Sequence, residues 1–179
     1  GQVELVTTET WLYNTKEKKM IKEHIQYNPA LLKIFDEILV NAADNRQRDK
    51  TMSLVEIAIR NCVGGDLEIS VKNDGKSLPI DLHKKENIYI PELVFGHLLT
   101  GSNFNDTDNR LTGGSHGYGA KLTNIFSNSF TVETHDGKKK VSYEQTWTNN
   151  MSNMSPPTIT STDSSDSFTK ITFQPDLRK

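Results

Sequence analysis

Length, composition and charge limit what this chain can be before any motif is considered. Its 179 residues suffice for one domain with a hydrophobic core, and a second independent core is not expected. With a formal net charge of −2, the chain lacks the excess of basic residues that is typical of proteins that bind a phosphate backbone. Cys62 is the only cysteine, which excludes an internal disulfide and a multi-cysteine zinc site. Neither a membrane span nor a signal peptide is predicted, so we expect a soluble protein of a reducing compartment.

Hydrophobic periodicity and turn residues predict a chain of helices and strands. Asn28 is a suitable N-cap, and Pro29 a suitable first residue, for the first helix. Clusters of glycine, asparagine and aspartate mark the ends of the strands. In chain order, the predicted elements are helix 29–45, strands 54–60 and 67–72, helix 91–99, helix 118–126, and strands 130–134, 141–147 and 168–173.

Two long stretches have no convincing periodicity. Residues 100–117 are polar and glycine-rich, which inside a domain is typical of a functional lid or a disordered insertion. Residues 149–167 are rich in Ser, Thr, Asn and Pro, and predict an exposed loop that buries little and carries no chemistry.

The predicted first helix carries one polar stripe on an otherwise apolar surface. Glu37, Asn41 and Asn45 are spaced four residues apart and share a face, which Lys33 and Arg48 extend at its two ends. A solvated face is the ordinary interpretation of such a stripe. Two asparagines argue against it, because asparagine is a poor helix former whose amide competes for backbone hydrogen bonds. The amide oxygen of Asn41 suits Mg²⁺, and Glu37 suits a water that attacks a phosphoryl group.

A glycine-dense loop runs from Thr112 to Lys121 and leads into a predicted helix. Such a junction directs free backbone N–H groups at an anion, and Lys121 adds a full charge. A flexible linker would have a similar composition. Ala120 separates Gly119 from Lys121, so the Walker A pattern is absent, and no Gly-x-Gly-x-x-Gly occurs either. Walker-type and Rossmann-type nucleotide sites are therefore disfavoured.

Asp74, at the end of the second predicted strand, is a candidate for recognising a base. A buried carboxylate accepts a hydrogen bond from the amino group of adenine, and Gly75 beside it would let the ring come close. When Asp74 is considered by itself, the simpler interpretation is that it forms a turn with Gly75. Thr169 shares a strand face with Ile171 and Phe173, so its hydroxyl either faces the same base or is satisfied within the core.

Four separated segments resemble the eukaryotic topoisomerase II branch of the GHKL ATPases, in the order that this family has them. The segments are KIFDEILVNAADNR from 33, PELVFGHLLTGSNF from 91, GYGAKLTNIFS from 117 and ITFQPDL from 171. The resemblance implies an α+β fold, a two-layer α/β sandwich of the GHKL (Bergerat) type with helices on one face of a mixed sheet. Residues 1–179 would form this single ATP-binding domain.

The resemblance also assigns roles to particular residues. It implies that Glu37 is the general base for the hydrolytic water and that Asn41 ligates the Mg²⁺ that bridges the phosphates of ATP. It implies that Asp74 binds the adenine amino group with support from Thr169. The other residues implied to bind ATP are Asn45 and Arg48 on the phosphate side, Ser102 and Asn103 at the ribose, and Gly114, Ser115, His116, Gly117, Tyr118, Gly119, Ala120 and Lys121 around the triphosphate.

The chain departs from the family pattern at three places. Ser77 stands where the turn usually has a second glycine, which would stiffen the adenine edge of the pocket. Ser115 and His116 replace an Arg-Asn pair, so one cation and one amide are lost and weaker nucleotide binding is expected. Asp74 is an asparagine in many eukaryotic members, whereas bacterial relatives carry aspartate.

For a whole protein, the resemblance implies an ATP-dependent DNA topoisomerase in which ATP closes a dimer gate for DNA strand passage. The family's N-terminal dimerisation arm and C-terminal transducer domain, with a lysine for the γ-phosphate, fall outside residues 1–179. We therefore expect this chain to bind ATP, or an ATP-competitive ligand, as a monomer and to hydrolyse ATP slowly. DNA would be bound only by the rest of a homodimeric enzyme of the nucleus, with no membrane partner.

Two other functions stay open from the residues alone. A kinase or chaperone of the GHKL group would share the fold but not the QPDL and GYGAKL segments. A module that senses nucleotide or binds a protein without catalysis would leave the Glu37 stripe solvated.

Overall fold

The computed structural model describes residues 4–97 and 118–178, which form a helix layer on a seven-stranded sheet and a separate two-stranded hairpin. The sheet order is β3-β4-β9-β5-β6-β7, and β8 also pairs with β6. The elements are β1 Val6–Asn14, β2 Lys19–Tyr27, α1 Pro29–Arg48, β3 Val55–Asn61, β4 Leu67–Asp74, α2 Ile90–Gly96, α3 Gly119–Ile125, β5 Ser127–Asp136, β6 Val141–Thr148, β7 Asn153–Met154, β8 Thr158–Ser161 and β9 Phe168–Pro175.

The predicted α+β fold is confirmed, with one correction to the sheet. A mixed sheet was expected, but every strand pair within residues 4–97 and 118–178 is antiparallel. The central pairs β4–β9 and β9–β5 join the middle of the chain to its end. Each pair therefore closes a long loop, and local sequence patterns carry no information about which strands meet.

Helix α1 begins where the sequence predicts and continues to Arg48, three residues beyond the predicted end. The side-chain oxygen of Asn28 accepts hydrogen bonds from the backbone N–H groups of Ala30 (2.9 Å) and Leu31 (3.3 Å). Ile38, about 100° around the helix axis from Glu37 and next to the polar stripe, is only 2% exposed. This burial fixes the rotation of α1 about its axis and hence the direction of its polar residues.

The core lies between the helix layer and one face of the sheet. Helix α1 packs on α3 and β4, α2 packs on α3, and α3 packs on β5 and β9. Removal of these apolar side chains from water is the main favourable contribution to folding. The buried core residues are Ile34, Ile38, Ala42, Ile69, Val71, Phe95, Ala120, Phe130, Val132, Trp147, Ile171 and Phe173.

The hairpin of β1 and β2 was not predicted from the sequence. Its apolar side chains occupy both faces: Trp11 and Tyr13 lie on one face, each 59% exposed, and Leu12 pairs with Ile21 on the other. Neither face therefore shows the alternation of apolar and polar residues that indicates a half-buried strand. The short strands β7 and β8 were also missed, although the expected exposure of residues 153–161 is confirmed in most positions.

Candidate active site

The carboxylate of Glu37 lies against the backbone at the start of α3. A Cβ atom built on Gly119 would stand only 1.8 Å from Glu37 Oε2, so the carboxylate occupies the space that any larger residue would need. The other oxygen, Oε1, is 2.5 Å from Lys33 Nζ, and the Glu37 side chain is 27% exposed. The structure thus brings the polar stripe of α1 and the end of the glycine-dense loop together, as the sequence predicts.

Lys33 holds the Glu37 carboxylate from one turn earlier on α1. The hydrogen bond and ion pair with Glu37 raise the pKa of the Lys33 ammonium, so this group stays protonated through neutral pH. Asp36 is a weaker partner, at 3.8 Å from the same nitrogen. Because Lys33 is well exposed, the pair orients Glu37 more than it stabilises the fold.

The two asparagines of the stripe have different environments. The amide of Asn41 is half-buried and makes no hydrogen bond to another residue of the described ranges 4–97 and 118–178. Asn45 instead donates from Nδ2 to the carbonyl oxygen of Lys76, at 3.1 Å, which ties α1 to the turn after β4. Arg48, at the end of the helix, is exposed. Of these two amides, only that of Asn45 is bonded to another described residue.

The segment that leads into α3 contains a buried cation. Tyr118 is exposed and Ala120 is buried, while Lys121 is only 5% exposed and has no ion-pair partner in the described part of the chain. Burial lowers the pKa of the Lys121 ammonium, because a charge is poorly solvated there. A phosphate would supply the opposite charge that this environment favours. The other predicted residues of this region, Ser102, Asn103, Gly114, Ser115, His116 and Gly117, lie outside the described residues.

The structure does not bring Asp74 together with Thr169. Both Asp74 carboxylate oxygens are used locally: Oδ1 accepts from the N–H groups of Ser53 and Leu54, each at 2.8 Å, and Oδ2 accepts from the Ser53 hydroxyl at 2.6 Å. The Ser53 hydroxyl bond is the main reason that the pKa of Asp74 is lowered. Asp74 therefore fastens the start of β3 to the end of β4, which corrects its prediction as the base-binding carboxylate.

Asn73, and not Asp74, shares its strand face with Thr169. Alternation along β4 puts Asn73 on the face of the buried Ile69 and Val71, and Asn73 is itself only 6% exposed. It is paired directly with Thr169 on β9, whose hydroxyl accepts a hydrogen bond from the N–H of Leu78 at 3.1 Å. The alternation of strand 67–72, extended by one residue, indicates Asn73 as the inward-facing residue. The turn pattern that begins there instead indicates Asp74.

The turn after β4 is clamped to the C-terminal end of α1. Gly75 has φ +82°, and a Cβ there would come within 2.6 Å of Asp49 Oδ2 and 2.8 Å of Met52 Cβ, so only glycine fits. Asp49 Oδ2 accepts from the N–H of Lys76 at 2.6 Å, and its Oδ1 accepts from Thr51. Hydrogen bonds from Thr51 are the main reason that the pKa of Asp49 is lowered. The strand that carries Asn73 and the helix that carries Glu37 are thus held together.

Residues 27–179 match the family described as histidine kinase-, DNA gyrase B- and HSP90-like ATPase. The chain belongs to this ATPase family. The resemblance to the topoisomerase II branch is also confirmed: the chain is 51% identical over 179 residues to DNA topoisomerase 2 of Candida glabrata, and 50% identical to those of Saccharomyces cerevisiae and, over 182 residues, Arabidopsis thaliana. Each alignment covers the whole of this chain but only 12% of the relative, so the chain spans about an eighth of the relatives' length.

Solved structures of the family agree with this placement. The ATPase region of Saccharomyces cerevisiae topoisomerase II superposes with a TM-score of 0.86 at 50% identity, covering 99% of this chain and 46% of that one. The same region bound to ICRF-187 (dexrazoxane) superposes equally well. The 43K ATPase domain of Thermus thermophilus gyrase B has a TM-score of 0.58 at 22% identity over 81% of this chain and 33% of that one, and supports the fold alone.

No helix in residues 4–97 and 118–178 is long and apolar enough to cross a membrane. The same residues contain no group of three or more His, Cys, Asp or Glu side chains able to hold a metal ion.

Proposed function

We propose that this chain binds ATP with Mg²⁺ and hydrolyses it, with Glu37 as the general base. The observation that supports this most strongly is the position of the Glu37 carboxylate, in contact with the Gly119 backbone at the end of the glycine-dense loop. A solvated stripe would not bury a carboxylate against the one segment whose composition suits a triphosphate. Glu37 would accept a proton from the attacking water, and its contact with Lys33 at 2.5 Å would keep the carboxylate in position.

The phosphates would lie between α1 and the start of α3. Lys121, buried without a described ion partner, would pair with a phosphate oxygen. Asn41 would give one oxygen ligand to Mg²⁺, which prefers oxygen donors and retains waters and phosphate oxygens as its other ligands. Bound Mg²⁺ supplies positive charge where negative charge develops on the phosphates. Asn45 and Arg48 would line the outer end of the phosphate region.

Residues outside the described ranges would complete the nucleotide site. Following the family pattern, Ser102 and Asn103 would contact the ribose, and the glycine loop from Gly114 to Gly117, with Tyr118 next to it, would wrap the triphosphate. Ser115 and His116 offer a hydroxyl and an imidazole in place of an arginine and an asparagine. We therefore expect ATP to bind more weakly than in relatives that keep the family pair.

Removing the amide of Asn41 is expected to abolish the dependence of nucleotide binding on Mg²⁺. The wild-type chain should bind a non-hydrolysable ATP analogue more tightly with Mg²⁺ than with a chelator, whereas Asn41→Ala should bind equally in both, because the cation has lost its protein ligand. Calorimetric titration measures this. Asn45→Ala is the matched control, since its amide is used by the Lys76 carbonyl and the Mg²⁺ effect should persist. An unchanged Mg²⁺ effect in Asn41→Ala would exclude the assigned ligand.

The adenine ring would be recognised by Asn73 and Thr169, not by Asp74. Asn73→Ala is expected to weaken ATP binding about tenfold, because a hydrogen bond to the base in a closed pocket contributes about 1–2 kcal/mol. Asp74→Ala should leave affinity unchanged and lower the free energy of unfolding by about 1 kcal/mol, since the N–H groups of Ser53 and Leu54 lose their acceptor. Titration and thermal unfolding of both variants separate the roles, and the reverse pattern would restore Asp74 to the site.

The chain covers about an eighth of the length of its curated relatives, so it would work as one part of a larger protein. Those relatives are DNA topoisomerases, so we propose that ATP bound here closes a dimer gate for DNA strand passage in a nuclear enzyme. DNA would be bound by other parts of that enzyme, in keeping with the net charge of −2.

A further inference from the structure

A row of three polar residues crosses the central strands at one end of the buried sheet face. Alternation along each strand carries its apolar, core-facing side to one of them: Asn73 on β4, Thr169 on β9 and Thr134 on β5. Thr169 is the middle member, because it pairs with Asn73 on one side and with Thr134 on the other. Thr134 is only 1% exposed. The row therefore extends one strand beyond the two residues that we propose to bind the base.

The Thr134 hydroxyl lies among three oxygen atoms. Its Oγ1 is 3.3 Å from the carbonyl oxygen of Leu78, 3.3 Å from that of Phe168 and 3.3 Å from Thr169 Oγ1. Thr169 Oγ1 in turn accepts a hydrogen bond from the Leu78 N–H at 3.1 Å. A hydroxyl group has one proton to donate and two lone pairs that accept. Thr134 can therefore donate to a carbonyl and accept the proton of Thr169 at the same time.

These bonds leave the Thr169 proton two possible acceptors in the proposed site. The Leu78 N–H occupies one lone pair of Thr169 Oγ1, and the proton of Thr169 points elsewhere. That proton goes either to Thr134 Oγ1 or to an acceptor on the base, and Thr134 keeps a carbonyl acceptor in both cases. Neither arrangement leaves a hydroxyl proton unpaired. Exchange of one hydrogen bond for another costs little, whereas a buried donor without an acceptor is destabilising.

We propose that Thr134 is a positioning residue for base recognition, which offers the Thr169 proton an acceptor and so sets how strictly Thr169 requires an acceptor on the base. This role rests on the proposed function, in which Thr169 meets adenine beside Asn73. On adenine, the ring nitrogen N1 is the acceptor next to the amino group. With Thr134 present, a base that lacks N1 is tolerated, because the Thr169 proton turns to Thr134. Without the Thr134 hydroxyl, the same base leaves that proton unpaired.

A purely structural role for Thr134 makes a different prediction. The two threonines bind the N–H and the C=O of Leu78, so they also hold the segment after β4 in place. If that were their only role, loss of the Thr134 hydroxyl would loosen the pocket and weaken every adenine nucleotide alike. The ratio of affinities for two nucleotides that differ only at N1 would then stay constant.

The test compares a non-hydrolysable ATP analogue with its 1-deaza counterpart, in which a C–H group replaces N1 and the amino group is retained. Calorimetric titration with Mg²⁺ gives both dissociation constants. In Thr134→Val their ratio is expected to be about tenfold larger than in wild type, because valine keeps the shape of the side chain but cannot accept a proton. Affinity for the unmodified analogue should change by less than about threefold. Thr134→Ser keeps the hydroxyl and should give the wild-type ratio.

The double variant Thr134→Val, Thr169→Val is the matched control. It has no hydroxyl proton to leave unpaired, so the enlarged ratio should disappear. A ratio in Thr134→Val equal to that of wild type overturns the proposal, even if both affinities fall, and so does an enlarged ratio that persists in the double variant. Thr134→Ala makes the same prediction if thermal unfolding shows that valine is not accommodated.

The same titrations separate this role from the proposed function. A wild-type chain that binds neither nucleotide contradicts ATP binding and the role of Thr134 together. A wild-type chain that binds the ATP analogue, with a ratio that no Thr134 variant changes, contradicts the role of Thr134 alone.

Discussion

Replacing Glu37 with glutamine is expected to slow ATP hydrolysis by about 10²- to 10⁴-fold while nucleotide binding persists. The glutamine amide keeps the size of the side chain and its position against Gly119, but it cannot accept a proton from the attacking water. Loss of the negative charge also releases Lys33, now 2.5 Å from Oε1, without affecting the core. Single-turnover measurement with radiolabelled ATP reports the chemical step even when overall turnover is slow.

The neighbouring carboxylate provides the matched control. Asp36 precedes Glu37 on α1, is 50% exposed, and contacts Lys33 only at 3.8 Å. Asp36→Asn therefore removes the same charge from the same turn of helix without touching the proposed base, and hydrolysis should remain near the wild-type rate. Equal losses in both variants would mean that the helix contributes only general electrostatics, and full activity in Glu37→Gln would leave the stripe as a solvated face.

Gly119→Ala is expected to damage both the fold and the hydrolysis rate. The added methyl group would lie 1.8 Å from Glu37 Oε2 and 2.4 Å from its Cδ, so either the carboxylate or the start of α3 must move. Because the atoms that the methyl group meets belong to the end of a partly exposed side chain, the loss of stability should be at the lower end of overpacking costs, about 1 kcal/mol. We expect a lower melting temperature together with hydrolysis reduced as far as in Glu37→Gln, because the base is displaced from its position.

A second substitution at Glu37 distinguishes this clash from a general effect on the loop. In the double variant Glu37→Ala, Gly119→Ala the space once filled by the carboxylate accepts the methyl group, so most of the lost stability should return although hydrolysis stays absent. Residues in contact show such coupling, whereas distant residues give additive changes. Additive losses measured by thermal unfolding would mean that Gly119 and Glu37 are not in contact.

The sequence predicts the elements whose signals are local. Asn28, Pro29 and the spacing of Ile34 and Ile38 define α1, because capping and helical periodicity act within a few residues. The stripe of Glu37 and Asn41 follows from the same periodicity. These features are therefore predictable from the sequence. The contact of α1 with Gly119, at the end of the glycine-dense loop, is predictable through the resemblance between the chain and its family.

Features that depend on distant contacts were missed. The role of Asp74 is set by the backbone of Ser53 and Leu54, some twenty positions earlier, and a strong turn pattern concealed the strand alternation that selects Asn73. The bond from Asn45 to the Lys76 carbonyl likewise joins residues 31 positions apart. In the β1–β2 hairpin, apolar residues on both faces removed the alternation on which strand prediction depends.

The clamp formed by Asp49, Gly75 and Lys76 fixes the turn after Asn73 against the C-terminal end of α1. Glu37, in the middle of the same helix, meets Gly119, so the residues proposed for the base and for the attacking water belong to one connected unit. Loosening the clamp would then be expected to impair recognition of the base and hydrolysis together.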